Sequence, residues 1–90
     1  MTRSKMIDFL AVVQKEHRLQ IPIEIRQHLK LEPKQIIHMG VQPIGRAFVS
    51  SVDFYARLSV DGRITVPWEV NLRCGLKTRE MIRVYLYPED

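Results

Sequence analysis

Two arginines stand in matching settings half a chain apart. Arg18-Leu19-Gln20-Ile21-Pro22 and Arg63-Ile64-Thr65-Val66-Pro67 each run from a cation through a short apolar stretch to a proline. A guanidinium stays charged in any protein, and its planar fork pairs with phosphate oxygens or with the edge of a guanine. Such groups recognise anions; they do not break bonds. The structural alternative is an ion pair, because Glu24 and Glu69 follow the two arginines into the next element. An Arg–Glu tie from turn to helix start would account for both arginines without a ligand.

Residues that could do other chemistry are poorly arranged for it. His17, His28 and His38 lie on a predicted turn, helix and strand, without metal-ligand spacing, and have no counterparts in the second half. Cys74 falls on an inward helix position matched by Leu29 and reads as a small core hydrophobe. No Ser/His/Asp set, paired carboxylates or phosphate loop is present. The chain is expected to be no enzyme and to need no metal or cofactor.

Composition sets further bounds. Ninety residues with 46% hydrophobic content suit one globular domain. Fourteen Lys/Arg against ten Asp/Glu give +4, which favours an anionic partner, and the first half holds the larger excess. One cysteine cannot form an internal disulfide, so a reducing cytoplasm is the expected setting. The basic stretch Met1–Lys5 is no signal peptide. No apolar run approaches the roughly 20 residues that span a bilayer, so no membrane partner is expected.

The elements that must position these groups occur twice. Residues 46–90 laid on 1–45 coincide at Asp8/Asp53, Phe9/Phe54, Ala11/Ala56, Arg18/Arg63, Pro22/Pro67, Glu24/Glu69, Leu31/Leu76, Ile37/Ile82 and Pro43/Pro88, and many other positions swap like for like. The chain is one duplicated unit, 1–45 and 46–90, folding as a single pseudo-two-fold domain. In the second copy Phe54, Ala56, Leu58 and Val60 alternate with polar residues, as in a half-buried strand. Asp61-Gly62 predicts a tight hairpin turn, since glycine accepts positive φ. Arg63–Val66 resumes as a strand. Pro67 then opens a short helix, with Glu69 in its first turn, Val70 and Cys74 inward, and Gly75 as a left-handed cap. Met81–Tyr87 is the third strand.

The first copy repeats this more weakly. Phe9, Ala11 and Val13 line its first strand, Glu16-His17 replaces the Asp-Gly turn, and Ile25 and Leu29 face in from the helix. Lys30 stands where the copy has Gly75, so this helix end is expected to close differently. Strand three covers Ile36–Val41, with a turn at Gln42-Pro43-Ile44-Gly45. Arg46–Val52 reads as a further strand, and Arg3–Ile7, which aligns with Phe48–Val52, is expected to fill the place of the strand that the second copy lacks after Tyr87. A β-β-α-β order with a borrowed strand predicts a mainly β fold, a small closed barrel carrying two short helices.

Glu16-His17-Arg18-Leu19-Gln20-Ile21-Pro22-Ile23-Glu24-Ile25-Arg26 and Asp61-Gly62-Arg63-Ile64-Thr65-Val66-Pro67-Trp68-Glu69-Val70 both resemble the AbrB/SpoVT-type DNA-binding domain. That family's pattern is a Gly-Arg turn, a short strand, Ile-Pro, then a helix opening on a Glu and an Arg, and the likeness covers nearly all of each repeat. The resemblance implies a swapped-hairpin barrel, usually a homodimer and here two copies fused in one chain, that binds double-stranded DNA. It carries the candidate contacts Lys15, Arg18 and Arg63 at the turns, Arg26, Gln27 and Arg73 on the helices, and Arg57 on a strand. Asn71, Leu72 and Val12 depart from the family's basic positions, so an asymmetric grip is expected.

The implied role is a transcriptional regulator or chromatin-associated factor, cytoplasmic and at the nucleoid. The competing role is a non-catalytic protein-interaction or assembly barrel that has lost DNA binding. The family also holds MazE-type antitoxins, and the competing role includes an antitoxin-like module, although no tail to wrap a toxin is expected after the last strand. Leu10, Val12, Tyr55, Tyr85 and Tyr87 point away from the inward set and offer a surface for self-association. Ile23 and Trp68, after the two prolines, are expected to serve as a staple against the strand or as a subunit contact rather than to stack on bases.

Overall fold

Alternating apolar and polar residues build six strands, and the two prolines start two short helices, in a computed structural model that describes residues 6–46 and 49–88. In chain order these are β1 (Ile7–Val12), a left-handed turn (Lys15–His17), β2 (Arg18–Gln20), α1 (Ile23–Leu29) and β3 (Ile36–Pro43). The second half gives β4 (Val52–Arg57), β5 (Arg63–Thr65), α2 (Trp68–Cys74) and β6 (Met81–Leu86). β4, β5 and α2 begin and end on the residues equivalent to the ends of β1, β2 and α1. The duplication read from residue types is therefore a duplication of structure.

The protein is mainly β, with strands in two antiparallel sheets: β1-β6-β3-β4 and the ribbon β2-β5. Each ladder joins a strand of one half to a strand of the other: β1 to β6, β3 to β4 and β6, β2 to β5. Neither half can satisfy its own strand hydrogen bonds, so the halves fold together or not at all. Gly40 faces Tyr85 across β3 and β6, and Leu19 faces Ile64 across the ribbon. Each of these pairs joins equivalent residues, so the pseudo-two-fold axis passes through both. The same relationship holds in the loops. Lys34 N–H donates to the Leu58 carbonyl at 2.7 Å, and Arg79 N–H donates to that of Val13 at 2.7 Å.

The core lies between the sheets. Ile37, Met39, Val41, Phe54, Ile82, Val84 and Leu86 enter it from the four-stranded sheet, Leu19 and Ile64 from the ribbon, and Val70 and Cys74 from α2. Burying one such aliphatic side chain contributes about 1.5–3 kcal/mol. α1 is held more loosely, with Ile25 and Leu29 only partly buried. The outer faces of ribbon and sheet consequently look in opposite directions.

Several expectations need correction. Among the described residues the strands form two sheets and no closed cylinder, because β2 and β5 are three residues long and spend their ladder on each other. Single bonds turn the corners: Gln14 N–H donates to the Arg18 carbonyl at 2.9 Å, and Ser59 N–H to that of Arg63 at 2.8 Å. Asp61-Gly62 does form the turn, with Gly62 at φ 83°, but its arms splay and β5 pairs with β2. Val60 belongs to that turn and is 75% exposed. β3 runs on to Pro43, which leaves the turn to Ile44 and Gly45. Of the strand expected at Arg46–Val52, only Val52 is in a strand among the described residues. Its counterpart Arg3–Ile7 lies outside them except for Met6 and Ile7. Lys30 closes α1 as Gly75 closes α2, in the left-handed region at φ 57° and 64°.

Candidate nucleic-acid interface

Because Leu19 and Ile64 point into the core, their neighbours Arg18, Gln20, Arg63 and Thr65 form the ribbon's outer face. The register sets Arg18 opposite Thr65 and Arg63 opposite Gln20, one arginine from each half on either side of the axis. Gln20 organises the centre. Its Nε2 donates to the Asp61 carbonyl at 3.0 Å, and its Oε1 accepts from Arg63 Nε at 3.2 Å.

The arginines pair with carboxylates, though not with Glu24 and Glu69. Arg18 meets Glu16 at 2.7 Å and Arg63 meets Asp61 at 3.5 Å, the same positions in the two copies. The turn folds each acid back over its own strand, whereas the proline carries the helix glutamate away. Exposed pairs of this kind contribute only about 0–1 kcal/mol and are exchanged readily for another anion. The Ser59 hydroxyl donates to Asp61, and with the Arg63 and Arg18 charges this holds the Asp61 carboxyl below its usual range.

Two clefts flank this centre. One of about 420 Å³ is lined by Gln14, Lys15, Glu16, Arg18 and Arg63. The other, of about 230 Å³, is lined by Arg18, Arg57, Ser59, Asp61, Arg63 and Thr65. Arg18 and Arg63 are common to both, so the fold gathers Lys15, Arg18, Arg57 and Arg63 on one side. Arg57 is steadied there by donating from Nη1 to the Lys34 carbonyl at 3.0 Å.

Three of the candidates are not in this group. Arg26 is partly buried and serves as a strut, its Nε donating to the Ile21 carbonyl at 2.9 Å while its guanidinium covers Gly62 of the other half. Gln27 is exposed on α1, beside a cleft of about 360 Å³ that also holds Ile23, Arg26 and Lys30. Arg73 is exposed in the last turn of α2 and lines none of these clefts.

Arg46 escaped the sequence reading. It pairs with Glu80 at 2.6 Å and donates to the Gly75 carbonyl at 3.3 Å, tying the end of α2 to the loop before β6. Lys34 and Arg79 were also missed, although the repeat aligns them and a cation stands at both positions. Ile23 and Trp68 are 53% and 66% exposed, which removes the staple against the strand and leaves the subunit contact as their expected role.

On the opposite side, Leu10, Val12 and Tyr55 are exposed while Tyr85 and Tyr87 are half-buried. His38 lies between Tyr55 and Tyr87, with ring centroids at 4.6 Å and 4.7 Å. Tyr87 donates to Asp53 at 3.1 Å across Gly40, and Tyr85 to Gln42 at 3.0 Å. Among the described residues no group of three His, Cys, Asp or Glu could hold a metal ion, and no helix is long and apolar enough to cross a membrane.

No family model matches the chain, and no curated protein does. The fold is similar to that of PHS018 from Pyrococcus horikoshii, solved in solution, with a TM-score of 0.81 and 22% identity over 100% of this chain and 99% of that one. At that identity the likeness concerns the fold.

Proposed function

We propose that this chain binds double-stranded DNA, as a transcriptional regulator or chromatin-associated factor of the AbrB type. The observation that carries the reading is the ribbon face, where Arg18 and Arg63 come from different halves yet share two clefts with Lys15 and Arg57. Their only salt-bridge partners among the described residues are the exposed acids Glu16 and Asp61, which a phosphate can displace. The equivalents of Lys15 and Arg57 are Val60 and Val12, so each side of the axis carries its extra cation at a different position, and the grip suits a target without strict two-fold symmetry.

The test is fluorescence anisotropy of a labelled 30-base-pair duplex over a range of salt, beside the double variant Arg18→Ala, Arg63→Ala. Four phosphate contacts give a log–log salt slope of about −4. Binding should be lost in the variant while its circular dichroism stays native. Affinity independent of salt, or unchanged in the folded variant, would refute the reading. A second reading, a non-catalytic protein-interaction module, draws on the exposed Leu10, Val12, Ile36, Tyr55 and Met81 of the four-stranded sheet. It gains if the intact protein ignores the duplex at low salt.

A further inference from the structure

We propose that the DNA contact continues past the ribbon at both ends, onto Lys34 in the α1–β3 loop and Arg79 in the α2–β6 loop. The inference rests on the DNA-binding reading above and extends its footprint. Lys34 and Arg79 are equivalent residues, and both adopt left-handed backbone, at φ 72° and 76°. Glycine is the unstrained residue in such a position, and a side chain there carries strain. That both copies place a long cation where glycine would be easier points to work done by the side chain, since backbone strain of this kind gathers at functional sites.

The hydrogen bonds show where the two loops sit. Lys34 N–H is held by the carbonyl of Leu58, next to Ser59, whose own N–H is held by Arg63. Arg79 N–H is held by the carbonyl of Val13, next to Gln14, whose N–H is held by Arg18. Each loop therefore abuts one corner of the ribbon, directly beyond the clefts that hold Arg57 and Lys15. Arg57 reaches across its corner to the Lys34 carbonyl. At the other corner Lys77 and Arg79 border a cleft of about 330 Å³ in which Arg46 takes up the charge of Glu80. The cations thus follow one another as Arg79, Lys15, Arg18, Arg63, Arg57 and Lys34, three on either side of the axis.

Glycine makes the test clean, because it removes the cation and the backbone strain together. The double variant Lys34→Gly, Arg79→Gly should melt no lower than the parent. It should bind the duplex about tenfold or more weakly at roughly 0.1 M salt, with a salt slope shallower by about two units. Arg83→Gln, on the outer face of the other sheet, controls for lost net charge and should leave the slope unaltered. If the parent binds, the Arg18→Ala, Arg63→Ala variant fails, and the glycine variant matches the parent in affinity and slope, the extension is wrong while the ribbon reading stands. If the parent binds no duplex at low salt, both are wrong. If Arg83→Gln flattens the slope as much per charge as the glycine variant, the effect is general charge and the extension is overturned.

Discussion

Arg26 of the first half covers Gly62 of the second. A Cβ at position 62 would stand 2.7 Å from both Nε and Nη1 of the guanidinium, and Gly62 has φ 83°. The turn that presents Arg63 is thus shaped by a side chain from the other half. Gly62→Ala should cost about 2 kcal/mol, from left-handed strain and from displacing Arg26. Arg26→Ala should cost about 1.5 kcal/mol through its lost bond to the Ile21 carbonyl. Urea unfolding of the two single variants and the double checks this. The double should lose less than the sum, because removing Arg26 makes room for the new methyl group.

The helix caps offer a mirrored pair. Lys30 and Gly75 hold the same left-handed conformation. Lys30→Gly should stabilise the protein by about 1 kcal/mol, and Gly75→Ala should destabilise it by a similar amount. Thermal melts should move in opposite directions by roughly 4–8 °C. Equal shifts of the same sign would mean that the caps are not equivalent.

Under the proposed DNA binding, Asp61 would compete with phosphate for Arg63. Asp61→Asn should tighten duplex binding several-fold at low salt, an effect that fades as salt rises. The same carboxyl gives a direction for pH. Its ordinary pKa of 3.8 is lowered in the fold by the Ser59 hydroxyl and the neighbouring arginines. Its contribution to stability is therefore complete above that value and lost as pH falls through the lowered one. Acid unfolding of Asp61→Asn should accordingly show a weaker dependence on pH below about 4 than the parent.

Cys74 is fully buried in α2, and burial pushes its thiol above the ordinary 9.0. Alkylation by iodoacetamide at pH 8 should be negligible in the native protein and rapid in denaturant. Fast reaction of the native protein would show that α2 opens locally, contrary to the close packing of Val70 and Cys74.

Much of the fold was legible in the residues. Phe54 and Ala56 are buried, the two prolines start helices, and the equivalent elements coincide in the two halves, because these features arise from periodicity and dihedral sterics within a few residues. Lys30 was misjudged for an instructive reason. Propensity prefers glycine in a left-handed cap by about 1 kcal/mol, and tertiary packing of Leu29 and Leu31 overrides a preference that small. Val60 failed because alternation was carried past the point where Ser59 bonds to Arg63 and bends the chain. For the site, residue type marked Arg18 and Arg63 and their positions at the turns. Lys15 and Arg57 were named beside that pair through the family resemblance, but nothing in the residues revealed that Arg26 would be consumed as a strut.

The residue pattern by itself determined that one unit is written twice, which positions turn inward, and that the chemistry offered to solvent is cationic. Only the tertiary structure decided that each strand finds its ladder in the other half, and hence that two arginines distant in the chain face the same clefts. The reason is physical. A side chain's inward or outward aim follows from its own backbone and close neighbours, but a strand's hydrogen bonds must be met by whichever strand lies beside it, and here that partner is always a strand of the opposite half.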